Sequence, residues 1–395
     1  MIKNEILEPQ GNDIHECSIH ECTFLYRILW INACILFGFS FFIFPTNDTY
    51  YYWTWSKHLQ LSYLDGPPLI AYLLYVSTHI FGDNFFAIEL ISLLSIYGST
   101  YLIYQIVKEF ASKPAALCAA ALWIMFPFAT TRFIAISMTL DGLEVFFSLL
   151  LIYAAFKWIK FQNTWYMYLM GMSAGLAMLA KYNTVILIAG LLLYFMLNKN
   201  LRKIYYQFNF YCAILIALLI FSPVLLWNYE HDWVSVIYQL NLHKWNGPKG
   251  AINSAEKQGL RGVWFYIGSC VFGVLNIFLL IIAYFRVWKG VKLTASYNNS
   301  ILVFVAYFIL LFWLYQAYFA HVGLNYMVTL SALLSIITGQ YLTLHRKYYW
   351  VIKCLLIVFS IMSLAMLIDK SRLHASDMAN YNKYVKTGLI KRFLI

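Results

Sequence analysis

Acids and cations of this chain gather where apolar runs end. Asp48 stands in "NDTYYYWTWS", four residues past the first long apolar run, and Asp65 follows in "YLDGPPL". Asp141 and Glu144 share "TLDGLE", while Lys181 and Tyr182 share "AKYN". A carboxylate in such a place can take the proton of an attacking hydroxyl, and an ammonium group can steady a departing anion. Arg132 and Arg261 are further cations, and His231-Asp232 and His321 further polar groups able to hold a sugar or a metal ion. Each acid alone also has a purely structural reading. Asn47 or Asp48 can cap a helix over 50 to 56, Asp65-Gly66 before Pro67 is turn chemistry, and Asp141 with Glu144 reads as a capping box. Lys181 has one too, as a helix-end side chain reaching for the interface. The repeat "IHECSIHEC" over 14 to 22 carries metal-ligand types, with no further cluster beside it.

The elements that must position these groups follow from composition. A chain of 395 residues that is 62% hydrophobic and only 11% charged has too little polar material to cover a water-soluble globule of its size. Its net charge of +11 is dispersed between apolar runs rather than gathered on one face, which excludes a nucleic-acid partner and reads as a topology signal. Seven cysteines form no framework of disulfides. The expectation is an all-α polytopic membrane protein with about 11 transmembrane helices, at approximately 24-44, 84-107, 114-129, 142-156, 164-180, 183-198, 207-227, 263-285, 301-319, 325-343 and 349-368. The run 68-81 is too short to span and is expected to lie at the interface. Residues 1-23 then form a cytoplasmic tail, 24-368 the transmembrane domain and 369-395 a short basic tail on the outer side. The inside loops hold basic residues such as Lys108, Lys113, Lys157, Lys160, Lys199 and Lys203; the outer loops, 45-83 and 228-262 chief among them, hold most of the acids.

In order along the chain, the motifs carry a resemblance. "NDTYYYWTWS" followed by "LSYLDGPPLIAYL" resembles the first outer loop of the polyprenyl-phosphate-sugar-dependent membrane glycosyltransferases, the GT-C superfamily that includes dolichyl-phosphate-mannose-protein mannosyltransferases and the lipid A aminoarabinose transferase. Asp48 matches the family acid, Tyr51-Tyr52 its aromatic pair and Asp65 the acid of a Tyr-x-Asp-x-Pro-Pro motif. Two departures stand out: Thr49 replaces a glutamate, and Gly66 stands where bacterial members often have His. Asp141, "GLAMLAKYNTVIL" and "PVLLWNYEHDWVSVIYQL" are similar to later family stretches, and "HVGLNY" at 321 to 326 resembles one beyond them.

The resemblance implies a GT-C-type fold with interfacial helices in the first outer loop. It further implies an inverting transfer of a sugar from a polyprenyl-phosphate donor to a hydroxyl of a glycolipid, lipopolysaccharide, lipid A or protein acceptor at a bacterial inner membrane. Asp48 would be the base. Lys181, Arg132 and Arg261 would meet the donor phosphate, and Tyr51, Trp55, Tyr63, Asp65, Asp141, Tyr182, His231, Asp232 and His321 the sugar or acceptor. A divalent metal cation is a possible cofactor, which the loss of the glutamate at Thr49 puts in doubt. Two other readings fit the same composition: a transporter or flippase of lipid-linked sugars, and an inactive scaffold of the same fold.

Overall fold

A computed structural model describes residues 19-41, 47-124, 139-242, 259-273, 297-319 and 322-344, with a few single positions between 354 and 365. Arg132, His321, the run 349-368 apart from those positions, and the tail 369-395 lie outside the described residues. The described chain is helical, with no strand among the described residues. Helices α1 (Ile19–Phe39), α2 (Asn47–Lys57), α3 (Leu69–Phe81), α4 (Phe85–Lys108), α5 (Lys113–Ile124), α6 (Leu140–Phe161), α7 (Thr164–Ala180), α8 (Thr184–Leu197), α9 (Phe208–Glu230), α10 (Val234–Leu242), α11 (Gly259–Gly273), α12 (Tyr297–Phe319) and α13 (Val328–Leu344) follow in order, with 3-10 turns at Arg202–Tyr206 and Leu324–Met327.

Ten of the expected runs coincide with helices, and the protein is a polytopic membrane protein. Segments Phe85–Lys108, Leu140–Phe161, Phe208–Glu230 and Ser300–Phe319 are long and apolar enough by themselves to cross a bilayer. The remaining described helices are shorter or, like α1, apolar over a shorter stretch, Cys22–Gly38. α3, at 13 residues, is about 20 Å long and cannot span, as its sequence implies. It turns back onto α4 through Gly82, whose φ of 79° favours glycine, and Asn84 then caps α4 by accepting from the Ala87 N–H at 2.9 Å.

Close packing rests on small residues. α6 lies between α4 and α7, α7 between α6 and α9, and α5 between α4 and α13. A Cβ on Gly175 would stand 2.8 Å from the Ala217 carbonyl oxygen, and one on Gly171 would collide with that of Ala213. This small-xxx-small spacing lets two backbones touch where no hydrophobic effect drives helices together. Within α9, Pro223 leaves the Leu219 carbonyl without its helical donor, and the Ser222 hydroxyl supplies one at 2.8 Å.

Charges mark the two ends of the bundle. At one, Glu109 after α4 receives Lys157 at 2.5 Å and Lys160 at 2.9 Å from the end of α6. At the other end, Asp141 and Glu144 meet Lys181 over a second apolar cluster of Trp55, Tyr63, Leu69, Ile70, Leu140, Leu143, Leu179 and Phe221, and the charge of Asp65 reaches Tyr326 beside them.

Replacing Gly171 by Leu should destabilise the protein by about 1-3 kcal/mol through overpacking of α7 on α9. Gly38→Ala, with open space around its position, should leave stability unchanged or raise it. Thermal unfolding in detergent compares them; equal midpoints would refute the close α7-α9 contact.

Candidate active site

Two antiparallel helix ends build the charged centre. α6 begins at Leu140, so Asp141 lies in its first turn, where the backbone N–H groups favour an anion. α7 ends at Ala180, and its C-cap Lys181 is extended (φ -159°, ψ 133°), a position that favours a cation. Lys181 Nζ lies 2.5 Å from Asp141 Oδ1, 3.4 Å from Glu144 Oε2 and 5.3 Å from the Tyr326 ring centroid. Thr329 at the start of α13 donates to Glu144 Oε1 at 3.3 Å. All three charged side chains are nearly buried. The capping-box reading of Asp141 and Glu144 is therefore wrong: Thr139 is the N-cap, without a side-chain cap bond, and the two acids, three apart on one helix face, both turn to Lys181.

The loop between α2 and α3 lies against this centre. Gly66 packs on α6, since an added Cβ would lie 3.2 Å from Leu140 Cδ1. Asp48 is in the first turn of α2 and is exposed, and its charge is felt at Asp65 and Tyr52. Burial, and secondarily the charge of Asp48, raise the Asp65 carboxyl above the usual carboxylate range. α2 is pinned at its far end by Lys57, 2.6 Å from Asp83, with Trp53 Nε1 donating to the same acid. Both partners of that ion pair are exposed, so it contributes at most about 1 kcal/mol.

Neutral hydrogen bonds tie the loop to α9 and α10. The Tyr182 hydroxyl lies 3.4 Å from Ser62 Oγ and 3.2 Å from Ser235 Oγ, Gln239 Nε2 donates to the Asp65 carbonyl at 2.6 Å, and Trp227 Nε1 to Gln60 Oε1 at 3.3 Å. The structure thus brings Asp48, Asp65, Asp141, Lys181 and Tyr182 to one end of the bundle, with Tyr51 and Tyr52 half-buried beside them.

Other expected contacts fail. Trp55 (1% exposed) and Tyr63 (3%) stack on each other with centroids 4.0 Å apart, and the Tyr63 hydroxyl is shared between the Trp55 and His58 carbonyls. Their faces are used by the platform, so neither offers one to a sugar. His231 stacks on Trp227 and its Nδ1 is 2.7 Å from that residue's carbonyl oxygen. Asp232, exposed at φ 52°, makes the α9-α10 corner; neither joins the acids. Arg261 is exposed in the first turn of α11. Among the described residues, no three of His, Cys, Asp and Glu converge as metal ligands, and Thr49 is buried. Sequence reasoning missed Glu144 as a partner of Lys181, together with Thr329, Ser62, Ser235 and Asn228. Only the spacing of Asp141 and Glu144 signalled any of these.

The chain is similar to several known proteins. Residues 65–227 match the family described as dolichyl-phosphate-mannose-protein mannosyltransferase. A lipid A galacturonosyltransferase of Rhizobium johnstonii is 24% identical over 306 residues, which is 77% of this chain and 60% of that protein. The chain thus spans about three fifths of that relative's length. Among solved structures, ArnT from Cupriavidus metallidurans superimposes with a TM-score of 0.61 in the apo state, at 13% identity, covering 90% of this chain and 75% of ArnT. With undecaprenyl phosphate bound, ArnT gives 0.60 at 12% identity, covering 92% and 76%. The apo oligosaccharyltransferase of Archaeoglobus fulgidus gives 0.56 at 15% identity, covering 89% and 57%. The fold is shared with ArnT and with the oligosaccharyltransferase, and the family match over 65–227 agrees with the resemblance read from the motifs in that stretch.

Two measurements test the site's electrostatics. Asp141→Ala leaves a buried ammonium group with the longer of its two carboxylate contacts and should cost about 3-5 kcal/mol; an unchanged unfolding midpoint would refute the ion cluster. For Asp65, the folded protein binds its proton more tightly than the unfolded chain, so stability falls as pH rises from the reference value of 3.8 through the raised folded value. Asp65→Asn should flatten that slope and be the more stable form at neutral pH. Parallel melting curves against pH would refute the burial of the carboxyl.

Proposed function

We propose that this chain transfers a sugar from a polyprenyl-phosphate carrier to a hydroxyl acceptor, with inversion, at the periplasmic face of a bacterial inner membrane. The carrying observation is the pair Asp48 and Asp65, felt by each other beside the Lys181 centre at one end of a GT-C-type bundle. Relatives support the donor class: ArnT is known with undecaprenyl phosphate bound, and the curated relative is named for transfer to lipid A. The acceptor is, in order of preference, a lipid-linked glycan, lipid A or lipopolysaccharide, or a protein hydroxyl.

Each residue then has a task set by its surroundings. Asp48, exposed at the start of α2, accepts the proton of the acceptor hydroxyl as its oxygen attacks the anomeric carbon. Asp65, half-buried beside Asp48, keeps the acceptor or sugar hydroxyls in place. Lys181 is no free cation. It reaches the leaving phosphate by exchanging its longer contact, to Glu144, for a phosphate oxygen, with Asp141 still attached. Arg261, and Arg132 by sequence, supply the remaining positive charge.

The opposite end, with Glu109, Lys157 and Lys160, is the cytoplasmic one. A carrier lipid lies in the bilayer with its phosphate at the headgroups, so acids and cations at one bundle end are where the two substrates meet.

Asp48→Asn should lower sugar transfer from undecaprenyl-phosphate donors by about 10²–10⁴-fold with an unchanged unfolding midpoint. In cells, mass spectrometry of envelope glycolipids should lose one sugar residue. Wild-type turnover by the variant would overturn the assignment, and so would lipid-linked-sugar transport without transfer.

A further inference from the structure

The polar groups around Tyr182 are neutral, while the charges next to them are mostly acidic. Ser62, Ser235 and Asn228 are buried. The Asn228 amide lies beside the Tyr182 hydroxyl, and its Nδ2 donates to the Val224 carbonyl at 3.0 Å, which leaves Oδ1 buried with no hydrogen-bond partner. A buried acceptor of this kind asks for an O–H or N–H donor. Asp65 lies close enough for its charge to be felt at Tyr182, and Asp141 and Glu144 share Lys181 between them.

Resting on the transferase reading, we propose that Tyr182, Asn228, Ser62 and Ser235 form the subsite for the hydroxyls of the transferred sugar, and that this sugar bears no carboxylate. Sugar hydroxyls donate to Asn228 Oδ1 and exchange hydrogen bonds with Tyr182 and the two serines. A carboxylate at the same place offers no donor to Oδ1 and is repelled by Asp65. Lys181 does not offset this, because Asp141 holds it and its one exchangeable contact, to Glu144, goes to the donor phosphate. Specificity therefore arises from polar groups that a wrong ligand leaves unpaired. The inference separates this chain from the relative named for galacturonosyl transfer, whose sugar is a uronic acid.

Purified full-length protein in lipid nanodiscs would be given undecaprenyl phosphate carrying glucose or glucuronic acid, and galactose or galacturonic acid, pairs that differ only at C6. In at least one pair the neutral sugar should be used with a kcat/KM about tenfold or more above its uronic partner. Equal or better use of a uronic donor overturns the inference and leaves the transferase reading standing. Consumption of no donor sugar by the wild-type protein sinks both. Asn228→Leu should raise the KM for the neutral donor about tenfold with kcat within about twofold. Ser235→Ala, a smaller change, should raise it about threefold. If both variants fold and keep the wild-type KM, the subsite is refuted.

Discussion

Burying Lys181 is possible only because two acids meet it. An ammonium group taken out of water loses several kcal/mol of hydration, which Asp141 and Glu144 must offset by close contact and completed hydrogen bonding. The partners come from separate pieces of chain, the start of α6 and the end of α7, and Thr329 of α13 completes Glu144. Each helix end favours the charge it carries, an acid where N–H groups are unpaired and a lysine where carbonyls are. The cluster thereby fixes the relative heights of three helices, and the loop carrying Asp65 rests on Leu140, the residue next to Asp141.

From that fixed point the rest of the bundle end follows. Trp55 and Tyr63 are consumed in making a floor, with Tyr51 and Tyr52 edge-on to Trp55 at 5.0 and 5.1 Å. Trp227 of α9, Gln239 of α10 and Tyr182 then hold the loop from the outside. The loop's flexibility is restrained by neutral bonds while its acids remain next to one another, which suits a site that has to bind polar groups without collapsing on them. Burial and the charge of Asp48 both raise the proton affinity of Asp65, which eases the repulsion between the two acids.

Helices were legible in the sequence because hydrophobic runs of bilayer length have one structural solution. The shortness of α3 was legible for the same reason, from Pro67-Pro68 and Gly82 at its ends. Asp48, Asp65, Asp141 and Lys181 stood out as candidates because acids and cations are sparse in so apolar a chain. Their pairing was not. A capping box and an ion pair use the same residue types at nearly the same spacing, and only the neighbouring helix decides between them. Aromatic roles were the least legible: Trp55 and Tyr51 both belong to "YYYWTW", yet the turn of α2 buries one and leaves the other half-exposed.

A lysine flanked by two carboxylates also bears on how an anionic donor would be received. A free cation would hold a phosphate in the resting state and in the transition state alike, which lowers KM without speeding the chemistry. With Glu144 at 3.4 Å as a competitor, Lys181 gives a phosphate oxygen its full pull only once that oxygen carries more charge than the carboxylate it displaces. Charge on the phosphate grows as the bond to the sugar breaks. In the proposed reaction the second carboxylate would therefore tilt the lysine's binding energy from the bound donor toward the departing carrier, the difference on which catalysis depends.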